Sequence, residues 1–258
     1  MALDFHRKPS LVAYVTCGDP DLAKTQDIVL AAVKAGAGVI ELGVPFSDPL
    51  ADGPVIQRAS ERALKHGTCL EDVLRLASEI RKQSQVGLVI FSYLNPIVRM
   101  GLAKFADVAK AAGVDGVLVT DLPVEEADEY LYEMRKRALA TIFLAAPTST
   151  NARLKSIAEV STGFVYAVSR TGVTGARKQL TNDAQELVLR LRKYTKLPIA
   201  VGFGISSHEQ FAEVGKFADA GVVGSAIVET IERNTGKEAE SVAQFVNQLF
   251  KKSQPSVA

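Results

Sequence analysis

The chain has 258 residues, enough for one large domain with a full core or for two small ones, and an α/β barrel is the usual single-domain solution at this length. Lys and Arg number 30 against 29 Asp and Glu, so no net field favours nucleic acid or an anionic membrane, and a small-molecule partner is expected. Two cysteines, Cys17 and Cys69, are too few for a disulfide scaffold and lack metal-ligand spacing; they read as ordinary buried thiols in a reducing cytosol.

In chain order, the first ten residues have no apolar h-region, and no later run approaches the ~18 apolar residues of a membrane span. A soluble, unprocessed, cytoplasmic protein is expected. Short runs rich in Val, Ile, Ala and Gly then alternate with longer segments of helical period, eight times, with no composition break. Predicted strands cover 11–17, 39–44, 86–93, 116–120, 141–146, 163–169, 198–203 and 221–224. Helical patterns lie near 21–35, 54–83, 102–112, 125–138, 151–159, 181–194, 207–217 and 238–252, and residues 221–226 run straight into a further helix.

The helices carry their own punctuation. Asp21 is positioned to cap the first and Gly36 to close it, Gly113 ends the third, and Asn151 and Ser207 read as caps of later ones. Residues 125–138 put acids in the first turns and bases in the last, matching the helix dipole as a solvated outer face would. Strands that read as continuous apolar runs imply a parallel sheet covered on both faces. Eight such units predict a TIM (β/α)8 barrel, with residues 1–258 as a single domain.

In a barrel, chemistry belongs at the C-terminal ends of the strands. Glu41, Asp52, Tyr93, Asn95, Asp121, Arg170, Gly172, Gly204, Gly224 and Ser225 all fall there. Glu41 stands out because it interrupts an apolar strand, where burial normally excludes an acid. Period two along that strand turns Val39, Glu41 and Gly43 inward and Ile40, Leu42 and Val44 toward the helices, and Gly43 leaves room beside the acid. A Lys or Arg from another strand could neutralise such a Glu, but no predicted strand core contains one.

Asp52 follows in a loop of Pro45, Pro49, Gly53 and Pro54 that brings it toward the same strand end. Burial should raise the pKa of Glu41 while solvation leaves that of Asp52 low, the split that acid/base work needs. By the same inward count Tyr166, with Phe164 and Val168, is a candidate hydroxyl partner, although strand tyrosines also serve as plain core.

Two glycine-rich strand ends, residues 202–206 and 221–226, each precede a helix and suit an anion, because glycines admit close backbone approach and helix N-termini add free N–H donors. Residues 169–175, Ser-Arg-Thr-Gly-Val-Thr-Gly, form a polar loop that suits a water-excluding lid. His6, His66 and His208 lie away from strand ends, so no metal site is expected, and without a strand Lys no Schiff-base nucleophile is evident. From the residues alone, an isomerase or another phosphosugar lyase stays open.

Residues 41–54, Glu-Leu-Gly-Val-Pro-Phe-Ser-Asp-Pro-Leu-Ala-Asp-Gly-Pro, closely resemble the tryptophan synthase alpha subunit family. The likeness extends through residues 16–20, 93–96, 121–126, 169–175, 202–206 and 224–228, in family order. It implies a TIM barrel that cleaves indole-3-glycerol phosphate to indole and glyceraldehyde 3-phosphate by a retro-aldol reaction, with no cofactor in this chain.

By motif position the resemblance makes Glu41 the acid/base at indole C3 and the glycerol hydroxyl, and Asp52 the carboxylate that holds the indole N–H. Tyr166 would stand beside the glutamate, and Thr174 would be the lid threonine. Gly175, Gly204, Gly224 and Ser225 would cradle phosphate; Tyr14, Phe91 and Phe203 would enclose indole. Phe91 and Cys17 depart from aliphatic residues expected at the pocket, and the short leader puts in doubt an N-terminal helix under the barrel. The implied partner is a beta subunit carrying pyridoxal phosphate in an alpha2-beta2 heterotetramer. A free-standing lyase, or a non-catalytic phosphate-binding barrel that activates a partner, are the alternatives.

Overall fold

Runs of branched residues make eight short strands that pair side by side in chain order. β1 (Ser10–Thr16), β2 (Val39–Gly43), β3 (Gly87–Ser92), β4 (Gly116–Val119), β5 (Ala140–Ala145), β6 (Val165–Val168), β7 (Ile199–Gly202) and β8 (Ala220–Val223) are all parallel, and β8 closes on β1. The computed structural model describes residues 3, 5, 7–168, 177–202 and 204–251, with 177–181 described by backbone alone. The predicted TIM barrel is the observed one.

The outer ring is α1 (Leu22–Ala35), α2 (Pro54–Lys65), α3 (Leu70–Arg81), α4 (Leu94–Met100), α5 (Leu102–Ala111), α6 (Asp128–Lys136), α7 (Asn151–Val160), α8 (Arg177–Leu191), α9 (His208–Val214), α10 (Ser225–Arg233) and α11 (Glu238–Phe250). Asp21 caps α1 by accepting from the Lys24 amide at 2.8 Å, and Gly36 ends it in the left-handed region at φ 117°. Ser207 caps α9, but Thr150, not Asn151, caps α7, because the threonine hydroxyl accepts from the Arg153 amide.

The pattern at 54–83 is two helices rather than one. Gly67, at φ 74°, turns the chain, and Cys69 starts α3 from an exposed position, so only Cys17 is the buried thiol expected of both. A 3-10 turn at Val124–Glu126 likewise precedes α6 in the segment read as one helix over 125–138. Among the described residues no helix is long and apolar enough to cross a membrane.

Alternation along the strands sorts two cores. Ile40, Leu42, Val44 and Cys17 belong to the large layer between strands and helices. Cys17 therefore shapes that layer, not the interior pocket. Inside the barrel, Val12, Val39, Val89, Leu118, Ile142, Phe164, Ala200, Ala220 and Val222 pack together. Leu3 and Phe5 join this interior, with Phe5 edge-on to Phe164 at 5.6 Å, and no helix precedes β1 among the described residues.

Candidate active site

Strand register sets the site. Tyr14 on β1 lies opposite Glu41 on β2, and Thr16 lies opposite Gly43. The Tyr14 ring leans mouthward: a Cβ placed on Gly43 would sit 2.3 Å from its hydroxyl. The space beside Glu41 is thus filled by Tyr14, a side chain, where the sequence suggested an opening. β7 repeats the device, since a Cβ on Gly202 would lie 2.7 Å from the Tyr166 hydroxyl. A glycine inside a strand marks such a close approach, and this pairing is a signal that period counting alone did not use.

Glu41 is fully buried, and neither carboxyl oxygen has a hydrogen-bond partner. No Lys or Arg pairs with it among the described residues, so the neutralised-glutamate alternative fails. Burial alone drives its pKa from 4.5 up to about 8, which leaves it a protonated acid at neutral pH.

Asp52 sits in the loop before α2. The Tyr93 hydroxyl donates to Asp52 Oδ2 at 3.1 Å and accepts from the Ala51 amide at 2.9 Å, while Gln57 Nε2 donates to the Asp52 carbonyl at 2.9 Å. Tyr93 in turn stacks on Phe46 at 4.9 Å. Tyr93 and Gln57 as braces of the loop were not foreseen, because each contact is made only on folding.

The pKa of Asp52 is raised by burial to about 6, opposed by the Tyr93 hydrogen bond. That differs from the low value expected of a solvated acid, yet Asp52 still ionises below neutrality while Glu41 does not. Burial chiefly, then the charges of both acids, raise the phenols of Tyr14 and Tyr166, and Tyr14 lies opposite Glu41 in the strand register. Tyr14 meets Phe91 edge-on at 5.0 Å, inside the barrel.

On the other side of the mouth, Gly224 precedes α10 and Ser225 is its exposed first residue. A Cβ on Gly224 would come no nearer than 3.5 Å to its closest neighbour, Tyr14, so protein packing does not demand glycine there. At the start of α10 the Ile227 amide already donates to the Gly224 carbonyl at 2.9 Å, which leaves the amides ahead of it as the donors suited to an anion. Gly204 takes φ 78°, where a side chain would strain the backbone.

Asp121 serves structure: its carboxylate accepts from the Leu94 amide at 2.7 Å where α4 starts, and Asn95 lies exposed on that helix. Arg170, Gly172, Thr174, Gly175 and Phe203 lie outside the described residues, and so does the lid assigned to 169–175. Among the described residues, no group of three or more His, Cys, Asp or Glu could hold a metal ion.

A closed (β/α)8 barrel with a partnerless buried acid and a second, ionisable acid at its C-terminal mouth defines a TIM-barrel protein equipped for carboxylate acid/base chemistry. Residues 2–255 match the family described as "Tryptophan synthase alpha chain". The chain belongs to the tryptophan synthase alpha chain family. It is 55% identical over 236 residues to the tryptophan synthase alpha chain of Solibacter usitatus (strain Ellin6076), covering 92% of this chain and 87% of that one. Its likeness to the Neisseria meningitidis serogroup B (strain ATCC BAA-335 / MC58) alpha chain is 49% over 241 residues, covering 93% and 92%. Among solved structures, it matches a chain of the tryptophan synthase complex from Pyrococcus furiosus with TM-score 0.87 at 40% identity, covering 95% of this chain and 98% of that one.

Proposed function

We propose that this protein cleaves indole-3-glycerol phosphate to indole and glyceraldehyde 3-phosphate as the alpha subunit of tryptophan synthase, with residues 1–258 forming one domain. The observation that carries this reading is Glu41, a buried carboxyl with no partner, protonated at neutral pH where Asp52, in the loop after the same strand, is not.

In this reading Glu41 gives its proton to indole C3, and the positive charge spreads to the ring nitrogen, where the Asp52 carboxylate accepts the N–H. The Glu41 carboxylate then takes the proton of the glycerol hydroxyl next to the ring. As that oxygen becomes a carbonyl, the bond from its carbon to C3 breaks, and the electron pair restores the indole. Glu41 ends protonated, as it began, and no external acid, base or oxidant is consumed.

Tyr166, expected as a hydroxyl partner of the glutamate, makes no hydrogen bond to it and acts on it only as a neighbour; Tyr14 and Phe91 hold the ring. Gly204, Gly224 and Ser225, with the α10 amides, take the phosphate. Thr174, Gly175 and Phe203 are assigned by family likeness alone. The chemistry draws on no cofactor of this chain; pyridoxal phosphate belongs to a beta subunit that accepts the indole, in a cytoplasmic alpha2-beta2 assembly.

The test is indole release from indole-3-glycerol phosphate, with and without an added beta subunit. Wild-type protein should release indole, Glu41→Gln should lose ~10²-fold or more, and the beta subunit should accelerate release. Cleavage that survives both Glu41→Gln and Asp52→Asn rejects the assignment, and fast release unchanged by the beta subunit favours a free-standing lyase.

A further inference from the structure

The seam where α2 meets α10 has two layers. Its inner layer is apolar: Ala59 of α2 and Val228 of α10 close over the ring of Tyr14, with Val55, Ile56 and Phe91 alongside. Its outer layer is ionic and is organised by one guanidinium. Arg62 donates through Nε and Nη2 to the two oxygens of Asp19, at 2.8 Å each, and through Nη1 to Glu232 Oε1 at 2.7 Å. Arg58, one turn earlier, donates to both Glu232 oxygens, at 3.0 and 2.8 Å.

These contacts join three separate βα units. Asp19 belongs to the loop leaving β1 and is almost wholly buried, with 3% of its side chain exposed. Arg62 lies on α2, whose first residue, Pro54, follows directly from the Asp52 loop. Glu232 lies on α10, two turns beyond Ser225. The arrangement uses the planar fork of arginine, which serves two carboxylates at fixed angles, whereas a lysine would present one point charge. Arg58 and Arg62 together pull the Glu232 carboxyl down to about 2, chiefly through the Arg58 hydrogen bond. Glu232 therefore stays charged across the working range of the site.

We propose that Arg62 is a positioning residue for the lyase reaction: by tying α2 to α10 through Asp19 and Glu232, it fixes the distance between the Asp52 end of the site and the phosphate end. The inference rests on the functional reading above. It adds that the two halves of one substrate are seated together because Arg62, alongside the Arg58–Glu232 pair, locks their two supporting helices to each other and to the Asp19 loop. Each half-site is built from groups that Arg62 does not touch, namely Tyr93 and Gln57 around Asp52 and the α10 amides around phosphate. Loss of Arg62 should then leave each half-site intact and spoil only their separation, and small misplacements of joined groups are costly.

The test compares a joined ligand with its parts. An uncleavable indole-3-alkyl phosphate, a simple alkyl phosphate and indole are titrated by calorimetry or NMR into wild-type protein, Arg62→Lys and the double variant Asp19→Asn/Arg62→Gln. The double variant removes both charges together, so no buried carboxylate is orphaned, and Arg62→Lys keeps the charge balance if the double variant folds poorly. The joined ligand should weaken about tenfold in both variants, while the alkyl phosphate and indole each change by less than about twofold. An unchanged joined ligand, or equal weakening of joined and separate ligands, overturns the positioning role while wild-type binding stands. A wild-type protein that does not bind the joined ligand at all overturns the lyase reading and the inference with it.

Discussion

Glu41→Gln should separate activity from stability in opposite directions. In the folded barrel the Glu41 carboxyl titrates near 8, against 4.5 when solvated, because burial opposes its charge and nothing compensates. The folded state therefore holds a proton that the unfolded chain has released, and stability falls as pH rises from 4.5 to about 8. The full interval corresponds to about 5 kcal/mol, of which roughly 3 kcal/mol is already lost at pH 7.

Gln is nearly the same shape and never ionises, so it escapes this penalty. Its amide is buried without partners at every pH, an offset that does not titrate. Urea unfolding of both proteins at pH 5, 7 and 9 isolates the effect, since all other titrations cancel in the difference. The stability of Glu41→Gln relative to wild type should climb by several kcal/mol between pH 5 and 9, on the order of the values above. A difference that stays flat, or that moves in favour of wild type as pH rises, would refute the isolation of this carboxyl.

The same two acids set the pH dependence of kcat/KM. Cleavage should rise as Asp52 ionises near 6 and fall as Glu41 loses its proton near 8, and Asp52→Asn should abolish the lower limb in whatever activity is left; a profile level from 5 to 9 contradicts the assignment. Gly43→Ala drives a methyl to 2.3 Å from the Tyr14 hydroxyl and 2.5 Å from its ring carbon, so it should cost about 1–3 kcal/mol in urea midpoints. That loss should shrink beside Tyr14→Ala, and an equal loss in both backgrounds would show that Tyr14 is not the neighbour that matters.

Local pattern made much of the barrel legible. An acid inside an apolar strand could be read as buried, and period two put Val39 and Glu41 on one face and Ile40 and Leu42 on the other, as the two cores show. Where a local signal had competition, the reading slipped. Amphipathic spacing runs on through Gly67, so α2 and α3 looked continuous until the left-handed turn separated them. Thr150 and Asn151 are both good caps, and only the hydroxyl that reaches the Arg153 amide decides between them.

Contacts between distant segments left no trace to read. The pKa of Asp52 depends on Tyr93, 41 positions away, and the Arg62 bridge spans 43 positions to Asp19 and 170 to Glu232. Periodicity carries no information over such separations. The room beside Gly43 was legible, but that Tyr14 fills it depends on the register of β1 against β2.

Leu3 and Phe5 close the lower end of the interior as side chains on a leader that precedes β1, outside the hydrogen-bonded staves. Whoever expresses the protein should therefore put an affinity handle at the far end of the chain. A bulky peptide fused ahead of Leu3 would pull on two side chains that pack inside the barrel, one of them edge-on to Phe164.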